Sequence, residues 1–108
     1  MIGEVRVLLY HDTADVTGIE AAYHQVSHNL AGVPGLLGNE LLRSVPDPTG
    51  FVVVSHWRDL AAFHKWERGV DHRDSTALLR PYRDTSLPRP FGVYQVTAAY
   101  SGDRTPAR

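Results

Sequence analysis

The stretch Phe51–Gly69, FVVVSHWRDLAAFHKWERG, changes its period partway along. Its first seven residues are mostly β-branched or aromatic and read as a strand ending at Trp57. Asp59 then offers a side-chain cap, Leu60–Arg68 reads as a helix, and Gly69 closes it. Along the strand, the two-residue period puts Phe51, Val53, Ser55 and Trp57 on one face. Along the helix, Leu60, Phe63, Trp66 and Val70 share one side. Two tryptophans and a phenylalanine therefore converge on one strand-to-helix corner. Each alone is ordinary core material. Together, so close in a small domain, Trp57, Phe63 and Trp66 also suit the wall of a cavity for a flat aromatic ligand.

On the N-terminal side, Glu4–His11 reads as a strand. Asp15 or Thr17 can cap a helix whose apolar stripe is Val16, Ile19, Ala22, Tyr23, Val26 and Leu30, with Gly32 and Pro34 ending it. Leu36–Val45 reads as a second strand, joined to the third by the turn Pro46–Gly50. On the C-terminal side, Asp74 or Ser75 starts a short helix, Thr76–Arg80, which Pro81 stops. Thr85–Pro90 is a loop and Gly92–Tyr100 the last strand. The order β-α-β-β-α-(α)-β predicts an α+β, ferredoxin-like fold with an antiparallel sheet and helices on one face. Residues 1–100 form one domain, and the polar residues 101–108 form a flexible tail.

The runs Val7-Leu8-Leu9 and Val52-Val53-Val54 do not alternate. Both faces of the sheet then need cover, yet the helices supply only one layer. A second copy packed sheet to sheet answers this, which predicts a homodimer.

Composition narrows the function. A net charge of -1 gives no basic face for nucleic acid. With no cysteine there is no disulfide framework, thiol nucleophile or Cys-ligated metal. No apolar run reaches membrane-spanning length and MIGEVRVLLYHD is no signal peptide, so a cytoplasmic protein is expected. No nucleotide-binding glycine pattern or GxSxG motif occurs. His24 and His28 have two-His metal spacing but fall opposite the apolar stripe with no third ligand, so no metal is expected.

Candidate chemistry rests on fewer residues. His64, at the edge of the second helix's stripe, and His72, just after it, can act as acid or base near neutral pH at a pocket mouth. His56 points to the opposite sheet face. Arg80 and Tyr82 close the short third helix, where an arginine can hold an oxyanion. Either Asn39 or Glu40 must face inward from an otherwise apolar strand, so Asn39 is a candidate binding residue if the register favours it.

Three segments, VPGLLGNELLRS, FVVVSHWRDLAAFHKW and HRDSTALLRPY, resemble the antibiotic biosynthesis monooxygenase family of dimeric α+β barrels over residues 4–100. The resemblance implies oxidation of a phenolic or anthrone-like aromatic polyketide to a quinone in actinomycete antibiotic pathways. It implies molecular oxygen as co-substrate and no metal, flavin or haem. By position, Trp57 matches the family's strand-three tryptophan and Arg80 a pocket arginine. Phe63 stands where the quinone-forming branch has a tyrosine, and Val53 where it has an asparagine. The polar work then falls to His64, His72, Tyr82 or Asn39. Two alternatives are an aromatic polyketide cyclase on the same scaffold and a non-enzymatic ligand-binding subunit. The haem-degrading relatives resemble the chain less, since strand one has no asparagine and the residue ten after Trp66 is Thr76.

Overall fold

The computed structural model describes residues 2–69 and 72–103. Val70, placed on the second helix's apolar side by its spacing, lies outside them, as does most of the 101–108 tail. The elements are β1 (Val5–Asp12), α1 (Val16–Asn29), β2 (Leu36–Arg43), β3 (Gly50–Trp57), α2 (Leu60–Glu67), α3 (His72–Thr76), a 3-10 helix (Ala77–Tyr82) and β4 (Phe91–Gln95). The sheet is antiparallel in the order β2-β3-β1-β4. This is the α+β, ferredoxin-like arrangement expected from the element order.

Local chemistry sets the helix starts. The Asp15 carboxylate accepts from the Gly18 N–H at 2.9 Å, so Asp15 rather than Thr17 caps α1. Asp59 does the same for the Ala62 N–H at 2.8 Å. Gly35, at φ +84°, takes a left-handed conformation just before β2, and a side chain there would run into the Ala62 side chain of α2.

Three expectations change. The third helix starts at His72, because the Ser75 and Thr76 hydroxyls bond back to the His72 carbonyl instead of capping forward. It continues past Pro81 to Tyr82 as a 3-10 helix, whose last turn closes through the Arg83 N–H on the Arg80 carbonyl and needs nothing from Pro81. The last strand stops at Gln95, well short of Tyr100. β4 pairs only with β1, and Val96 bonds to Glu4 and Gly3 where β1 runs out.

The inner face of the sheet carries two core clusters. Ile19 and Val26 of α1 and Leu30 at its C-cap pack with Phe51, Val53 and Leu79, while Ala62 and Phe63 of α2 pack with Val5, Val7 and Trp57. The outer face presents Leu8, Tyr10, Leu42, Val52, Val54 and Tyr94, all outside both clusters. Leu42 is 45% exposed and Tyr94 58% exposed on this face.

Candidate active site

Between the two clusters lies a cavity of about 360 Å³, bounded by the sheet, α1, α2, α3 and the 3-10 helix. The opening corner forms one of its walls. Trp57 and Trp66 have ring centroids 5.3 Å apart, and Trp57 meets Phe63 edge-on at 5.6 Å. Trp57 is 1% exposed and donates its indole N–H to the Ser55 hydroxyl at 2.9 Å. A buried tryptophan needs such a partner. His72 stands edge-on to Trp66 at 5.5 Å and lines the cavity, with its Nδ1 3.1 Å from the Gly69 carbonyl.

Asn39 is the inward residue of its pair. Its Oδ1 accepts from the Tyr23 hydroxyl at 2.6 Å and the Ser27 hydroxyl at 2.9 Å. Tyr23 and Ser27 lie four apart on α1, one turn above the other, so both reach the same point. Asn39 lines the cavity with its side-chain oxygen so occupied. Glu40 points outward and pairs with His56 at 3.2 Å.

Another part of the lining is basic. Arg73, Arg80 and Arg83 form it, with Arg80 held by a bond to the Arg73 carbonyl at 2.6 Å. Glu67 is the one carboxylate on the cavity wall among the described residues. Not every candidate is gathered here. His64 lies beside the cavity rather than on its wall, on the part-exposed flank of α2, 3.4 Å from Glu67. Tyr82 packs against the first turn of α1, its hydroxyl close to Gly18. His24 and His28 join no metal-binding group, and no group of three or more His, Cys, Asp or Glu capable of holding a metal occurs among the described residues. No helix among those residues is long and apolar enough to cross a membrane.

Sequence reasoning did not reach Tyr23, Ser27, Arg73, Arg83 or His11 as site residues. His11 continues the inward phase of Val5, Val7 and Leu9, which was its available signal. It is 5% exposed, and its Nδ1 is buried without a hydrogen-bond partner. Burial holds its imidazole below the usual histidine range. The Leu9 backbone opposes this and the Arg83 guanidinium adds to it. His11 borders a side chamber of about 190 Å³ that shares Leu9, Thr76, Leu79, Arg80, Arg83 and Phe91 with the main cavity.

Known proteins resemble this chain in sequence or in fold. The sequence profile of the family described as antibiotic biosynthesis monooxygenase matches residues 6–77, which takes in the aromatic corner and stops before Arg80. Protein SchA of Streptomyces halstedii is 31% identical over 96 residues, covering 87% of this chain and 25% of SchA. The mycobilin-producing haem oxygenase of Mycobacterium tuberculosis is 35% identical over 51 residues, covering 47% of this chain and 49% of that protein. The chain thus spans about a quarter of SchA and half of the haem oxygenase. In fold it is similar to SnoaB, a cofactor-independent oxygenase from Streptomyces nogalater, in the crystal structure of a mutant form. The TM-score is 0.72 at 18% identity, covering 87% of this chain and 93% of SnoaB. With the family profile covering most of the domain, the chain belongs to the antibiotic biosynthesis monooxygenase family.

Proposed function

We propose that the cavity binds an aromatic polyketide and that the chain oxidises it with molecular oxygen, without metal, flavin or haem. The observation that carries this reading is the aromatic wall, Trp57, Phe63 and Trp66, on a cavity of about 360 Å³ in a domain of this family. The reaction converts an anthrone methylene to a quinone carbonyl. The substrate supplies the electrons, one oxygen atom becomes the new carbonyl, and the other leaves as water with the two methylene hydrogens.

The protein's share is deprotonation, orientation and anion stabilisation. His72, beside Trp66, is the base at the cavity wall, and Arg80 holds the developing oxyanion. The Asn39 amide, fixed by Tyr23 and Ser27, orients a ligand oxygen. His64 and Tyr82, both off the cavity wall, have no part in this scheme. A second copy covers the outer sheet face, where Leu42 and Tyr94 stand open, giving a homodimer.

A non-oxidative cyclase is the second reading. Val53 and Phe63 make the wall apolar where the quinone-forming relatives named by the sequence resemblance carry asparagine and tyrosine. The haem-oxygenase likeness covers half the chain, and position 76 holds Thr76 where the haem-degrading pattern needs a histidine.

The test is turnover of a polycyclic anthrone by metal-stripped protein, in air and in its absence. Quinone formed only in air supports the monooxygenase. A ring-closed product in both atmospheres replaces it with the cyclase. Absence of both products removes catalysis on this substrate class from the reading.

A further inference from the structure

The side chamber is unlike the rest of the cavity. Its walls include two guanidinium-bearing residues, Arg80 and Arg83, and the buried ring of His11, and no carboxylate lines it among the described residues. A polar atom buried without a partner is rare in a folded protein, because desolvation is then unrecovered. The His11 Nδ1 is such an atom. It has no hydrogen-bond partner among the described residues, and the reaction scheme above does not use it. Six residues line both spaces, so the chamber directly adjoins the aromatic cavity.

We propose that this chamber is a subsite for an acidic substituent of the cavity's ligand, a carboxylate carried on the aromatic ring system. Arg80 and Arg83 supply the opposite charge, as guanidinium groups do for carboxylates. An imidazole that stays neutral beside them leaves that charge free for the ligand, and a ligand oxygen gives the His11 Nδ1 the hydrogen-bond partner that this one atom lacks. The proposal rests on the aromatic-ligand reading and deepens it: the preferred substrate is an aromatic acid.

Two probes separate the two claims. Quenching of tryptophan fluorescence is titrated with 1,8-dihydroxyanthraquinone and with its 3-carboxylic acid at about pH 7.5, where both the acid and the arginines are charged. Trp57 and Trp66 sit in the wall and report both ligands. The wild-type protein should bind the acid at least about tenfold more tightly than the parent quinone. The double variant Arg80→Gln/Arg83→Gln, at exposed positions, should bring the two affinities close to equal by weakening the acid far more than the parent. His11→Leu should lower the ratio several-fold. Arg73→Gln, on the cavity but not the chamber, should leave the ratio high. Equal affinity for the two probes in wild-type protein, or a ratio untouched by the double variant, overturns the subsite and leaves the aromatic cavity standing. Failure of both probes to bind overturns the aromatic reading and the subsite with it.

Discussion

The cavity has two unlike ends. At one, Trp57, Phe63 and Trp66 pack ring on ring, and the buried Trp57 indole N–H has its hydroxyl partner. At the other, His11 is sealed from water with an unmatched nitrogen, next to exposed arginines. The aromatic end is satisfied and contributes stability. The polar end carries an uncompensated desolvation, which a fold retains where binding recovers it. Under the proposed subsite, stability and recognition divide between these two ends.

The largest effect expected is at the aromatic end. Trp57→Ala should destabilise the domain by about 3–5 kcal/mol in urea denaturation, since it removes the largest fully buried side chain and strands the Ser55 hydroxyl. A loss below about 1 kcal/mol would break the contrast, because that end would then not be structural. Gly35→Ala should cost about 2 kcal/mol, part from left-handed strain and part from collision with Ala62 of α2. The double variant Gly35→Ala/Ala62→Gly divides the two, restoring only the collision part. Between the ends, Tyr23→Phe should cost about 1 kcal/mol, because Ser27 still satisfies the Asn39 oxygen.

The smallest effect belongs to His11 and appears as a pH dependence. Its folded pKa lies below the unfolded value of about 6.5. The stability it confers is therefore full above that pH and is lost as pH falls toward the folded value, where the unfolded chain takes up a proton first. His11→Leu should flatten the decline in urea midpoint between about pH 7 and pH 5. An identical decline in the variant would assign it to other groups and leave His11 energetically silent.

The same division explains what the sequence disclosed. Trp57, Phe63 and Trp66 fall within ten residues, so two local periods were enough to bring them together. His11 and the neighbouring pair Arg80 and Arg83 come from two distant parts of the chain, and the antiparallel bridge between His11 and Arg83 joins them. The choice between Asn39 and Glu40 was closed to a simple alternation for a definite reason. Counting by twos from inward Leu36 selects Glu40, but the register shifts between Leu36 and Gly38, a bulge that turns Asn39 inward instead. The 3-10 continuation through Pro81 escaped for a similar reason: a single-residue breaker rule ignores the hydrogen bond that closes around it.

The strand order β2-β3-β1-β4 bears on time as well as on energy. β1 is a central strand, yet its second neighbour is the last strand of the domain, with Val5 opposite Gln95. Closing so long a loop is entropically slow, which places refolding in the millisecond-to-second range. During synthesis β1 and β3 can pair long before β4 emerges from the ribosome. In that interval the free edge of β1 is an open template for another chain, and a nascent domain without its last strand is where aggregation would begin.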